Sequence, residues 1–586
     1  MAHPLHTTWL RFLEDSRLHL SRADALMRLS LFGLLTGLLA GAVIVAFRLL
    51  VEGTLGESLP DGNPDNFEAL PAWVRFALPL AGGVALALMF RFGSQGLHLL
   101  GVARVLERMA YHQGYLNLRG LLLQFFGAAI ALISGHSVGR EGPHVFLGAA
   151  SASLLGQTLA LPNNAIRTLV GCGTAAGIAA SFNTPLAGVI FALEVIMLEY
   201  TLASFIPVIV AAVSATTLSV AVFGTDPAFK IPNLALATLA EIPAVILLGL
   251  LVGGVSAGFT QMLETTIGRT RSIAIWWKTI AAGAIVGFIA LAFPQVMGIG
   301  YDTLNGVLLG QLGATTLAML LVAKLLATTA SIGLGVPGGT IGPSLFIGGL
   351  VGGLVGLGMQ ALLPSWQPDP GAYALLGMGA MMGANLQAPL AALTAMLELT
   401  DNPEIILPGM LVVVVAGLTA SEGFRKESLF VTLLRSTGLD YDANPVLQAL
   451  RRAAVGSVME RSFKRTQAEV TIEEAETMIR EAPRWLLIMG KDGPSHLLPT
   501  RDLEKYLLAQ KEQPAEERAD TVKLLEIPGN RYRVSPVHLS ATLQEALDLL
   551  KTSGHEALFV ERVTAPGIRP IYGVLTREML EATYKY

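Results

Sequence analysis

Between Leu121 and Gly224 the charged side chains are Arg140, Glu141, Arg167, Glu194 and Glu199, and nothing else. A carboxylate in so apolar a stretch is costly, and inside a membrane it usually serves function. Glu141 is the most informative of the five because it stands in Gly139-Arg140-Glu141-Gly142-Pro143. Glycines followed by a proline in the first helical turn signal a helix N-terminus aimed into a cavity. The unpaired N–H groups and the dipole of such an end favour an anion. A small anion crossing a bilayer needs this partial positive charge, without a full cation that would trap it. A carboxylate at the same helix end acts as a tethered anion in the place the mobile one would take, and its protonation or displacement opens the path. The structural alternative is a carboxylate that merely satisfies the N–H groups. Arg140 beside it shapes the field or the structure. A second helix start of this kind is Gly338-Gly339-Thr340-Ile341-Gly342-Pro343.

These residues need a membrane around them, and the chain supplies one. Apolar runs with at most one charge recur at Leu29–Leu50, Phe76–Met89, Leu121–Ile133, Leu202–Phe223, Ile242–Phe259, Ile275–Phe293, Thr315–Leu334 and Ile405–Leu418. A soluble core explains one or two such runs but not eight, so an α-helical polytopic membrane protein is expected. Many segments are interrupted by Gly and Pro, at Gly139–Pro143, Gly171–Gly177, Pro185, Gly333–Pro343, Gly377–Gly383 and Pro389, and read as broken helices. Broken helices persist in lipid only where the freed backbone is buried in protein or lines a polar cavity. Matching interruptions in two halves point to a transport site.

The halves are legible as a duplication. Gly142-Pro143-His144-Val145-Phe146-Leu147-Gly148 matches Gly342-Pro343-Ser344-Leu345-Phe346-Ile347-Gly348. Pro185-Leu186-Ala187 through Glu194 likewise matches Pro389-Leu390-Ala391 through Glu398. The prolines of the two blocks lie 42 residues apart in the first half and 46 in the second.

About half of all charged residues fall after Asp440, the share expected of a soluble domain. This tail has its own repeat. Thr471-Ile472-Glu473-Glu474-Ala475 and Thr542-Leu543-Gln544-Glu545-Ala546 each open an amphipathic helix. Apolar strand-type runs follow at Trp485–Met489 and Ala557–Val560, and then Thr500-Arg501-Asp502 and Thr576-Arg577-Glu578 at second helix starts. Gln510–Asp520 is a charged linker between the two α/β modules.

Three motifs in order, Gly139–Pro143, Ser181-Phe182-Asn183-Thr184-Pro185-Leu186-Ala187-Gly188 and Pro337–Pro343, closely resemble the CLC family of chloride channels and chloride/proton antiporters. The tail resembles the paired CBS modules that many members carry. The resemblance implies an inverted-repeat CLC-like fold of about eighteen helices, plus a cytosolic α/β CBS pair. It implies a homodimer with one ion path per subunit and Glu141 as the gating glutamate. The expected organisation is a cytosolic N-terminal helix over 1–28 and a transmembrane domain over 29–435, with halves at about 29–224 and 239–435. The CBS pair follows over 440–586, at about 453–510 and 525–586.

On the same resemblance the anion-binding positions are Leu100, Gly101, Arg140, Gly142, Gly339, Thr340, Ile341 and Phe430. Several depart from the family pattern. Leu100 stands where a serine hydroxyl meets the central anion, Phe430 where a tyrosine faces that serine, and Ile341 where a phenylalanine is usual. The central site is therefore expected to have lost both side-chain hydroxyls and to rely on backbone N–H groups. Val195 occupies the place of the antiporters' inner proton-transfer glutamate, with Glu199 one turn on as a substitute. Channel-like or weakly proton-coupled chloride transport and chloride/proton antiport both remain open, the first slightly ahead. Asp502 and Glu578 are the acidic residues that would bind ribose if an adenine nucleotide sat at the CBS pair, but their motifs run one residue short of the common pattern.

The expected partners are chloride or a similar small anion, protons if transport is coupled, membrane lipid and a second copy of the chain. Four arginines before the first apolar run, Arg11, Arg17, Arg22 and Arg28, with Arg425 and Lys426 after the last, predict cytoplasmic termini and an inner-membrane location. The formal net charge of −4 gives no basic surface for nucleic acid. Scattered histidines, His136, His144, His496 and His555 among them, have no metal-ligand spacing, so neither an enzyme nor a metal site is expected. Cys172 alone allows no disulfide framework.

Overall fold

The structure, a computed structural model, describes residue 20 and residues 26–94, 100–225, 238–400, 402–436 and 438–439. Toward the C-terminus it describes 450–451, 453–490, 493–512, 520–562 and 569–583. All of the N-terminal helix expected over 1–28 except residues 20 and 26–28, and most of the Gln510–Asp520 linker, lie outside the described residues. The chain divides into a helical unit, residues 26–158 with 166–441, and a second unit containing residues 442–586.

Between Leu26 and Ser436 the described residues form seventeen α-helices, and every expected apolar run falls within one of them or overruns it by a single residue. Among the described residues nine helices are long and apolar enough to cross a membrane, Leu26–Ser58, Ala72–Gly93, Ile242–Arg269 and Ile341–Leu362 among them. Their outward residues are themselves apolar, as at Leu38, Phe288 and Leu407, which suits a surface solvated by lipid tails.

The two halves repeat helix for helix. Leu118–Ile133, Glu141–Thr158, Asn163–Phe182 and Pro185–Phe191 correspond to Ala314–Gly333, Ile341–Leu362, Pro370–Leu386 and Pro389–Thr400. The halves interlock through two carboxylates. Glu194 accepts hydrogen bonds from the N–H groups of Leu390 (3.2 Å) and Ala391 (2.7 Å), while Glu398 accepts from Leu186 (2.9 Å) and Ala187 (2.7 Å). Each repeat thus caps the matching helix start of the other, which satisfies N–H groups that lipid cannot.

Two expected interruptions are absent. Asn163–Phe182 runs unbroken through Gly171–Gly177, and Pro370–Leu386 through Gly377–Gly383. Those glycines serve close packing instead. A Cβ on Gly173 would lie 2.2 Å from the Gly148 carbonyl oxygen, and one on Gly377 would lie 2.2 Å from that of Gly348.

The C-terminal unit contains helix, strand, strand, helix, twice, as its sequence repeat predicts. Strands β1 (Phe463–Gln467), β3 (Trp485–Gly490), β4 (Gly493–Pro499), β6 (Tyr532–His538), β7 (Ala557–Glu561) and β8 (Ile571–Thr576) form one sheet in the order β1-β3-β4-β6-β7-β8. β2 (Glu469–Thr471) pairs separately with β5 (Thr521–Lys523). Thr471 and Thr542 close capping boxes with Glu474 and Glu545 at the starts of Ile472–Glu481 and Leu543–Ser553. Each module buries its own apolar cluster, around Leu486, Ile488 and Leu503 in the first and Leu543, Leu558 and Val560 in the second.

Candidate anion pathway

The two glycine-rich motifs meet in the middle of the helical unit. Gly139 and Gly339 exchange backbone hydrogen bonds, N–H to carbonyl in both directions, at 2.7 Å each. A Cβ on Gly339 would lie 2.6 Å from the Gly142 nitrogen, so side chains are excluded at this crossing. The helices Glu141–Thr158 and Ile341–Leu362 therefore start side by side, with Glu141 in the first turn of the former.

Glu141 is fully buried, at 0% exposure. Its Oε1 accepts a hydrogen bond from the Tyr301 hydroxyl at 2.8 Å, and its Oε2 accepts from the Gly342 N–H at 3.1 Å. The carboxylate thus occupies the N-terminus of the other repeat's helix. A Cβ on Gly139 would fall 2.1 Å from Oε2, so only glycine leaves room for the carboxylate in this position.

Cavities lie on both sides of this crossing. One, of about 200 Å³, is lined by Leu100, Gly101, Gly142, Gly339, Thr340 and Phe430, and among the described residues its charged lining is Lys278 alone. Six of the eight positions proposed to bind the anion therefore share one space. Ile341, the seventh, is buried in the helix start behind it. Arg140, the eighth, lies on the other side.

That other cavity, of about 320 Å³, is lined by Arg48, Glu52, Asp65, Arg140, Tyr301 and Asp302 among others. Arg140 donates to Glu52 at 2.6 Å and to the Ser181 carbonyl at 3.3 Å, and Glu52 also accepts from Arg48 at 2.9 Å. One carboxylate between two guanidiniums leaves this trio with a net positive charge. Arg140 and Gly142, two residues apart, thus line different cavities, with Glu141 between them.

Backbone donors in the first cavity are fewer than the sequence suggests. The Gly339 N–H is used by Gly139 and the Gly101 N–H by the Gln124 side chain at 2.8 Å. A side-chain hydroxyl is present after all. The Thr340 Oγ1 is buried in the cavity wall without a hydrogen-bond partner. A buried orphan hydroxyl is costly, so it favours a ligand that accepts its proton.

Val195 is buried, and Glu194 before it is occupied with the helix start at Leu390. The Glu199 carboxylate accepts from the Ser204 hydroxyl in the first turn of Leu202–Phe223, the helix that Thr201 caps. In the C-terminal unit Asp502 is buried and accepts from the Asn530 N–H at 3.0 Å, while Glu578 is exposed. One oxygen of Asp502 is therefore already committed within the protein.

Two residues of the site escaped sequence reasoning, Tyr301 and Lys324. Lys324 is fully buried and donates from Nζ to the carbonyls of Val296 (3.1 Å), Gly298 (3.3 Å) and Ile299 (3.3 Å). It fixes the loop that delivers Tyr301. The signal for it was a single charge inside the apolar run Thr315–Leu334, the same kind of signal that singled out Glu141.

The family described as voltage gated chloride channel matches residues 81–421, more than half of the chain. The chain belongs to this family, the CLC proteins, which move anions across membranes and are not enzymes. It is 36% identical over 359 residues to a putative chloride channel protein ClcB-like of Ralstonia nicotianae, covering 60% of this chain and 83% of that one. It is 28% identical over 430 residues to the H(+)/Cl(-) exchange transporter ClcA of Vibrio parahaemolyticus, covering 70% of this chain and 91% of that one.

Among solved structures, a slow cyanobacterial Cl-/H+ antiporter superposes with a TM-score of 0.63 at 24% identity, over 70% of this chain and 98% of its own. A eukaryotic CLC transporter superposes over 94% of this chain and 98% of its own, with a TM-score of 0.58 at 19% identity. These likenesses establish the fold. The protein is a multi-pass membrane protein, and its C-terminal α/β unit is consistent with a CBS pair.

Proposed function

We propose that this protein conducts chloride, or an anion of similar size and charge, along a path in each subunit that Glu141 closes when ionised. The observation that carries the reading is the seat of the Glu141 carboxylate, on the Gly342 N–H and between two cavities. An anion arriving from either cavity competes for that N–H, and protonation removes the carboxylate as a competitor. Lys278 on the wall of the first cavity favours entry of anions over cations from that side. Thr340 and the N–H groups of its helix start form the central stop. The protein works as a homodimer in the inner membrane, with both termini in the cytoplasm. The family likeness supports the dimer, and the arginines before the first span support the orientation.

Transport is channel-like or weakly coupled to protons, a reading supported by Val195 and by the bond that ties the Glu199 carboxylate to the Ser204 hydroxyl. Antiport is the second reading, favoured by the name of the Vibrio relative. One experiment addresses both. Purified protein in liposomes under a chloride gradient is expected to release chloride faster as the pH falls, without driving protons uphill. Release at the rate of protein-free vesicles from acidic to mildly alkaline pH contradicts the function. Uphill proton movement at a fixed ratio to chloride contradicts weak coupling and selects antiport.

A further inference from the structure

The Tyr301 hydroxyl and the Glu141 carboxylate come from different repeats, 160 residues apart in sequence, yet lie 2.8 Å apart. The inverted repeat explains how they meet. In the first half, Gly101 at φ +73° starts the Val102–Tyr111 helix, and Leu100, Gly101 and Val102 line the cavity that holds Thr340. In the second half, Gly300 at φ +81° starts the Tyr301–Leu308 helix, and Ile299 and Tyr301 line the cavity that holds Arg140. Each loop is fixed by a polar side chain from a matching helix. Gln124 holds the Gly101 N–H, and Lys324 holds the Val296, Gly298 and Ile299 carbonyls. The fold thus builds the same loop on both sides of the crossing, and only the second-half copy presents a hydroxyl to Glu141. Tyr301 is buried and its ring lies 5.6 Å from the Arg140 guanidinium, so the phenol is held on two sides.

We propose that Tyr301 is a positioning residue that latches the ionised Glu141 carboxylate in its seat and sets the pH at which the path opens. The inference rests on reading Glu141 as the gate, and adds the group that holds it from the second cavity. A phenol can donate to a carboxylate whether or not an anion is near, so it favours the seated, ionised form over the released, protonated one. Removing the hydroxyl leaves Gly342 as the donor to Oε2 and none of these contacts on Oε1. The carboxylate then gives up its seat at a higher pH.

Other ionisable groups face the pair. Arg140 adjoins Glu141 in sequence, His144 lies one turn along the same helix, and Arg48 and Glu52 come from the Leu26–Ser58 helix. Asp65 comes from the connection after that helix, Asp302 adjoins Tyr301, and Lys324 comes from the Ala314–Gly333 helix. Burial, with Asp302 nearby, pushes the Asp65 carboxyl up to about 6, so it is a second group that changes charge in the range of the test.

The test is chloride efflux from liposomes as a function of pH, for the wild type, Tyr301→Phe, Glu141→Gln, the double variant, and Tyr301→Phe combined with Asp65→Asn. Tyr301→Phe is expected to move the midpoint of the profile up by about one pH unit, the scale of one hydrogen bond to a charged group. The readout is the midpoint and not the rate at low pH, where the wild-type carboxylate is already released and the Tyr301 hydroxyl borders the vacated seat. The shift should persist with Asp65→Asn and vanish with Glu141→Gln. A merely structural role would change the rate at all pH values without moving the midpoint. An unmoved midpoint in Tyr301→Phe, with a pH-independent Glu141→Gln, overturns the latch and leaves the gate standing. Loss of the shift with Asp65→Asn assigns it to Asp65 and overturns the latch as well. A Glu141→Gln protein that keeps the wild-type profile overturns gate and latch together.

Discussion

Glu141→Gln should pass chloride at neutral pH faster than the wild type by about tenfold or more, with little dependence on pH. The ionised carboxylate holds its seat through two charge-assisted hydrogen bonds, from Tyr301 and from Gly342. Such bonds are each worth about 1.5–3 kcal/mol, against about 0.5–1.5 kcal/mol for a neutral pair. Exchanging the carboxylate for an amide removes the charge while keeping the volume, so the seat weakens by roughly 1–3 kcal/mol and chloride competes for it on better terms. The sign of the pH effect follows from the same balance. In the wild type the seated form persists at high pH and is lost as the pH falls, so flux rises with acidity. The amide has no such transition. Efflux from liposomes across a pH series measures both features, and a variant that retains the wild-type profile would place the gate elsewhere.

Restoring hydroxyls to the first cavity should change anion affinity several-fold in each direction. Leu100 and Phe430 line that cavity together with Thr340, so hydroxyls introduced at both positions would face the same space. Leu100→Ser and Phe430→Tyr should each tighten chloride binding by about two- to tenfold, the range of a net neutral hydrogen bond. Thr340→Val keeps the shape, removes the orphan hydroxyl, and should weaken binding by a similar factor. Isothermal titration of chloride into the purified variants reads these changes directly. Equal affinities in wild type and Thr340→Val would show that the hydroxyl takes no part in holding the anion.

Much of this arrangement was legible in the residues themselves. Glycines next to prolines at the same place in two halves marked the helix starts, and a lone carboxylate between them marked the proposed gate. The motif alignments also brought Leu100, Gly339, Thr340 and Phe430 to a single cavity, although those residues span more than half the chain. What sequence could not supply was the pairing between halves. Tyr301 stands between a glycine and an aspartate with no proline or recognisable motif beside it, and its role depends on an inverted repeat that brings it across to Glu141. Glu194 and Glu398 were visible as matched acids, yet only the antiparallel meeting of the two halves turns them into reciprocal caps. The glycines at Gly171–Gly177 and Gly377–Gly383 misled for a physical reason. In a membrane, glycine serves close helix packing as readily as it breaks a helix, and composition alone does not separate the two uses.

The central claim is that the Glu141 carboxylate sits in an anion site. Crystals of Glu141→Ala grown in bromide test it most directly, because bromide scatters anomalously and the alanine vacates the seat. The account expects a bromide peak within hydrogen-bond reach of the Gly342 N–H and the Tyr301 hydroxyl, where the wild-type oxygens lie. Bromide confined to the cavity of Leu100, Thr340 and Phe430, with none at that seat, would contradict it.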